Sequence, residues 1–122
     1  MFYASSGQIM ITAGDTGIMG VRGKESGYQL TENDRVIFTA RDKPGGRKLI
    51  EKVIQPDGEG VARIPFMTED TADLKPKGYV WDIRVALEAE VDGNGDVTGY
   101  RELVTPMLGG VMSILPAIGG TK

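Results

Sequence analysis

From Tyr79 to Val91 the chain alternates: Tyr79, Trp81, Ile83, Val85, Leu87, Ala89 and Val91 take every second place, with Asp82, Arg84, Glu88 and Glu90 between them. A period of two sets all the apolar members on one face of an extended strand, whereas 3.6 residues per turn would scatter them around a helix. The segment is therefore a half-buried β-strand, and the rest of the fold must supply a layer to cover its apolar face. At about 3.3 Å per residue it would run roughly 43 Å, longer than an ordinary strand, so its far end is expected to bend or project. Trp81, the only tryptophan, sits mid-strand among apolar neighbours of the same face, which predicts a core anchor instead of a ligand-stacking ring.

Turn chemistry divides the remainder. Asp92-Gly93-Asn94-Gly95-Asp96 tolerates positive φ and predicts a hairpin whose return arm is Val97 to Val104. Lys43-Pro44-Gly45-Gly46 fits a type II turn between a strand with Val36, Phe38 and Ala40 on one face and a second strand, Lys48 to Ile54. Gln55-Pro56-Asp57-Gly58 predicts a type I turn into a strand with Ala62, Ile64 and Phe66 facing inward, and the order implies a meander. Gln8 to Thr12, Ile18 to Arg22 and Val111 to Leu115 complete the set of strands. Thr68 to Leu74, with a capping hydroxyl and early acids, is the one helical turn, stopped by Lys75-Pro76-Lys77-Gly78. About seven to eight short strands with regular turns predict an all-β fold, an Ig-like antiparallel β-sandwich. A single domain over residues 1–122 is expected, with its core at about residues 8–116 and termini free to fray or to form an apolar patch.

What the chain lacks limits its chemistry. It has no histidine and no cysteine, so it can form neither a Ser-His-Asp triad nor a thiolate nucleophile, disulfide or imidazole-held zinc site. Its 14 basic and 17 acidic residues give a net charge of -3, with no positive field to gather phosphates, and nucleic acid is not an expected partner. The cluster Arg41, Lys43, Arg47, Lys48 falls around a turn and is expected to be solvated. Leu103 to Thr121 carries no charge but contains Pro106, Pro116 and two Gly-Gly pairs, which would break a membrane helix, so no membrane partner is expected. The first basic residue is Arg22, so no secretory leader is read and synthesis in the cytoplasm is expected.

Four constellations come closest to a reactive or binding site. Asp15-Thr16-Gly17 is the triplet that aspartic proteases use, two carboxylates sharing a proton across a dimer, and Ala117-Ile118-Gly119 is similar to their second element. Against a catalytic reading, Ala13-Gly14 precedes the triplet where an apolar strand is usual, and a turn between two strands accounts for it. Asp92, Asn94 and Asp96 match the opening ligands of a calcium loop, but Val97 stands where glycine is required and Leu103 where a bidentate acid is required. No catalytic, cofactor or metal residue is therefore assigned. Tyr28, Tyr79 and Tyr100 could form a stacking platform for a carbohydrate or another ligand, and Phe2, Tyr3, Met107, Leu108 and Ile118 an apolar patch for a partner chain.

In order and spacing the chain resembles the small N-terminal β-sandwich domain of upper baseplate and tail-associated proteins from phages and prophages of Gram-positive hosts. The resemblance is carried by Gly14-Asp15-Thr16, Leu30-Thr31 with Val36-Ile37-Phe38, Glu69 to Leu74, Gly78-Tyr79-Val80-Trp81-Asp82 and the Gly-rich segment from Gly110 to Pro116. It implies a noncatalytic structural protein of the virion, made in the bacterial host cytoplasm, that needs no cofactor. It would assemble with other tail or baseplate proteins and with further copies of itself, through sheet edges, the projecting hairpin and apolar termini.

Overall fold

The structure, a computed structural model, describes residues 1–5, 7–22, 29–107 and 109–117. Its strands are β1 (Phe2–Ser5), β2 (Gln8–Thr12), β3 (Gly17–Arg22), β4 (Arg35–Arg41), β5 (Lys48–Ile54), β6 (Val61–Phe66), β7 (Gly78–Leu87), β8 (Glu90–Val91), β9 (Val97–Gly99), β10 (Glu102–Met107) and β11 (Val111–Leu115), with one helical turn, α1 (Thr68–Thr71), after β6. The chain is thus mostly β. A seven-stranded sheet runs β1-β2-β11-β7-β4-β5, and β10 also pairs with β7, while β3-β6 and β8-β9 form two-stranded sheets.

The alternating segment is the centre of the main sheet. Tyr79, Trp81, Ile83, Val85 and Leu87 are all buried on one face of β7, beside Val36, Phe38 and Ala40 of β4 on one side and Met112 and Ile114 of β11 on the other. The β3-β6 ribbon lays Val21, Ala62, Ile64 and Phe66 over that face. Phe66 lies 5.3 Å from the rings of both Phe2 and Phe38, and Phe38 lies 5.6 Å from Trp81, so aromatic contacts run from the edge strand to the central one. At roughly 1.5–3 kcal/mol for each fully buried large apolar side chain, this cluster is the main favourable contribution to folding.

The long strand does break. Glu88 has φ 49, and among the described residues it is the only one other than glycine at positive φ. Asp34, 4% exposed, holds this kink: one carboxylate oxygen accepts from Glu88 N–H (3.0 Å) and the other from Thr31 N–H (2.9 Å). Beyond it β8 and β9 leave the main sheet as a short hairpin, closed by Gly95 N–H to the Asp92 carbonyl (3.1 Å) with Gly95 at φ 85; its return arm ends at Gly99 instead of Val104, since Glu102 to Val104 rejoin the main sheet beside β7.

Several expectations are corrected. The main sheet is mixed instead of wholly antiparallel, because β11 runs parallel to β2; a parallel pair needs a long connection, which here is almost the whole chain between them. The meander fails at β6, which leaves β5 and pairs with β3. The turn after β5 lies at 57–60, where Gly60 (φ 78) supplies the positive φ and Asp57 accepts from the Glu59 and Val61 N–H groups (2.8 and 3.1 Å). The turn at Lys43–Gly46 is as expected, with Gly45 at φ 74 and Gly46 N–H to the Lys43 carbonyl (2.8 Å). The N-cap of α1 is Met67, with no capping hydroxyl; Asp70 instead accepts from the Met67 N–H (2.7 Å).

Candidate functional site

Three strands of the main sheet have an outer edge without a partner strand among the described residues, and the sequence treats them differently. On β5, Lys48 and Glu51 pair at 3.0 Å. Lys52 stands opposite buried Phe38, so it points to the core side, where it meets Asp70 at 2.8 Å. Inward-pointing and paired charges are devices that stop an edge from accepting another strand. The edge of β10 is interrupted by an irregular register between Val104 and Met107 and contains Pro106, which has no N–H to offer.

β1 has neither device. Its sequence is Phe-Tyr-Ala-Ser, without charge or proline. Thr12 N–H donates to the Met1 carbonyl (2.9 Å), and Phe2 stands opposite Ile11. By antiparallel alternation Met1 and Tyr3 turn their backbone groups to β2, while Phe2 and Ala4 present N–H and C=O outward. The Phe2 ring lies under Gly17, where a Cβ would come within 2.3 Å of it, so β3 sits above β1 at the same rim. Met1 and Tyr3 are 52% and 50% exposed there, whereas Ile18, 64% exposed, points away from β1, because its neighbours Gly17 and Met19 face the core.

The expected interface residues fare unequally. Phe2 is half-buried and packed on Phe66, whereas Tyr3 is exposed beside it. Met107 ends β10 and pairs with Ile83, separated from β1 by β7, β11 and β2. Leu108 and Ile118 lie outside the described residues. The edge residues that sequence reasoning missed are Met1 and Ala4. The alternating exposure of β1 was their only signal, and four residues are too few for periodicity to register.

A second feature lies on the opposite, outer face of the main sheet. A concavity of about 470 Å³ is bounded by Pro44 and Gly45 of the β4-β5 turn and by residues 109–111, which cross between β10 and β11. Its floor carries Thr39, Arg41, Val80 and Asp82. Thr39 is 5% exposed and stands opposite Asp82. Arg41 donates from Nη1 to the Gly46 carbonyl (2.7 Å), and one Asp82 carboxylate oxygen is buried without a hydrogen-bond partner among the described residues.

The other motifs resolve into local structure. Asp15 is half-buried and ion-paired with the N-terminal ammonium, and Gly17 of the same triplet makes room for Phe2. Asp92 accepts from Asn94 and Asp96 N–H groups (2.8 and 3.0 Å), the bonds of a turn, and no group of three acidic ligands suited to a metal occurs among the described residues. The tyrosine platform is corrected: Tyr79 is 4% exposed and its hydroxyl donates to the Lys75 carbonyl (2.7 Å). Burial, reinforced by nearby Asp42, pushes its pKa up. Tyr100 is exposed, outside the strands of the hairpin, and Tyr28 lies outside the described residues. Among the described residues no helix is long and apolar enough to cross a membrane. No protein-family model matches the chain, and no curated protein matches it.

Proposed function

We propose that this chain is a noncatalytic assembly domain that binds its neighbours by strand addition along β1, in a virion setting of the baseplate or tail-associated kind that its sequence resembles. The observation that carries the reading is the unequal treatment of edges: β5 is guarded by charge and β10 by proline and an irregular register, whereas β1 carries neither charge nor proline within the strand, the ion pair of the N-terminal ammonium with Asp15 standing before it. Strand addition draws affinity from main-chain hydrogen bonds and selectivity from flanking side chains. Phe2 and Ala4 supply the first, Tyr3 the second. The partners are other tail or baseplate proteins and further copies of the chain, met after synthesis in the host cytoplasm. In fold terms this reading takes the β3-β6 ribbon as the reduced second sheet of an Ig-like sandwich.

The test is sedimentation velocity over rising concentration, on the chain alone and mixed with the products of neighbouring genes. A complex that Ala4→Pro abolishes supports the proposal, because that change removes an outward N–H and no bond to β2. A chain that stays monomeric and ignores every such product, or a complex indifferent to Ala4→Pro, overturns it.

A further inference from the structure

Arg41 and Asp82 carry opposite charges on neighbouring strands of one sheet face, one pleat apart: Arg41 stands opposite Val80, and Asp82 opposite Thr39. Diagonal neighbours lie about 7–8 Å apart, within reach of an arginine, and opposite charges so placed ordinarily pair. Here they do not. The guanidinium turns to the Gly46 carbonyl and has no carboxylate partner among the described residues, while half-buried Asp82 has one oxygen that is fully buried and without a hydrogen-bond partner among them. Leaving such an acceptor unpaired is costly. Both residues border the same concavity, and the almost fully buried Thr39 lines its floor between them with no hydrogen bond of its own hydroxyl among the described residues.

We infer that this concavity is a binding site for a small zwitterion with an apolar body, the chemistry of a free apolar amino acid. Its ammonium would donate to the accessible part of the half-buried Asp82 carboxylate, its carboxylate would accept from the remaining guanidinium N–H groups of Arg41, and its side chain would rest on Pro44, Val80 and Val111. The site is neutral as a whole, so it favours a ligand with both charges over a simple anion or cation. A volume of about 470 Å³ is in the usual range for small-molecule sites and exceeds what one such molecule fills. The site is distinct from the docking edge, since β2 and β11 separate β7 from β1.

The experiment is an amide-resolved NMR titration of the full chain with L-leucine at low salt. The inference expects saturable shifts confined to Thr39, Arg41, Val80, Asp82 and residues 109–111, with a dissociation constant on the order of 0.1–1 mM. Asp82→Asn and Arg41→Gln should each weaken binding at least tenfold while leaving the spectrum dispersed, since neither change removes an ion pair. N-acetyl-leucine and leucinamide, each lacking one charge, should bind at least tenfold more weakly than leucine. Absence of localised shifts at about 20 mM leucine overturns the inference. So does equal binding by both variants, equal binding of the blocked analogues, or a preference for an uncharged polyol such as galactose. None of these outcomes depends on whether β1 docks a partner.

Discussion

Among the described glycines, Gly109 leaves the least room for a methyl group. It stands at φ +80, where the chain passes from β10 to β11 across the edge of β7, and a Cβ there would lie 1.6 Å from the Trp81 carbonyl oxygen and 2.5 Å from its carbon. Both are backbone atoms, so no side chain can swing aside. Gly109→Ala would force the crossing to retreat by roughly 1.4 Å, stretching the bond from Trp81 N–H to the Gly110 carbonyl, already 3.3 Å. Gly45 supplies the control: its φ is +74, yet nothing lies within 4 Å of a Cβ there. Gly45→Ala should therefore lose only the conformational part, about 1 kcal/mol. Gly109→Ala adds the displaced backbone and a weakened sheet bond, for a total of at least about 3 kcal/mol, a large share of the roughly 5–15 kcal/mol that holds a domain folded. Urea unfolding of both variants measures the difference. If Gly109→Ala lies within about 1 kcal/mol of Gly45→Ala, the account of the crossing is wrong.

Other expectations concern charge and hydrogen bonding. Asp34→Ala should cost about 2–3 kcal/mol in urea unfolding and raise hydrogen exchange at Glu88, because it removes both acceptors that hold the kink. Asp70→Ala should destabilise by about 2 kcal/mol, more than Lys52→Met, because the first strands a largely buried ammonium and the second removes it; the same unfolding assay ranks them. The Arg63 side chain, followed by the Val61 and Glu59 N–H groups, holds the Asp57 pKa below the ordinary value. Its folded pKa lies below the unfolded one, so its contribution to stability is present above about pH 4 and is lost as pH falls through the folded value. Unfolding measured across that range should show a flatter acid limb in Asp57→Asn. The Tyr79 pKa is raised by burial, so its contribution is complete below about pH 10 and lost as pH climbs further; ultraviolet titration should show one tyrosine that ionises later than the others.

The strands that sequence made legible are β2, β4, β6, β7 and β11, with period-two burial on one face, and β3 and β5, set off by their turns, together with the turns at Gly45 and Gly95. What it left hidden was pairing. Nothing local in Gln8 to Thr12 says that its neighbour will be Val111 to Leu115, or that β6 will abandon β5, since those choices are made by how faces cover one another across the molecule. The break at Glu88 was equally hidden, because it depends on Asp34, far away in sequence. The docking edge was half legible: Phe2 and Tyr3 drew notice as apolar residues near an end, but their roles divide only when alternation turns one ring inward and the other out.

The most direct check on the edge-docking reading is amide hydrogen exchange at Phe2 and Ala4, compared between the dilute chain and its complex with a neighbouring tail protein or a second copy. Strand addition predicts that both amides exchange freely in the dilute chain and become strongly protected in the complex, while the amides of β5 do not change. A complex that forms with Phe2 and Ala4 still exchanging freely would contradict it.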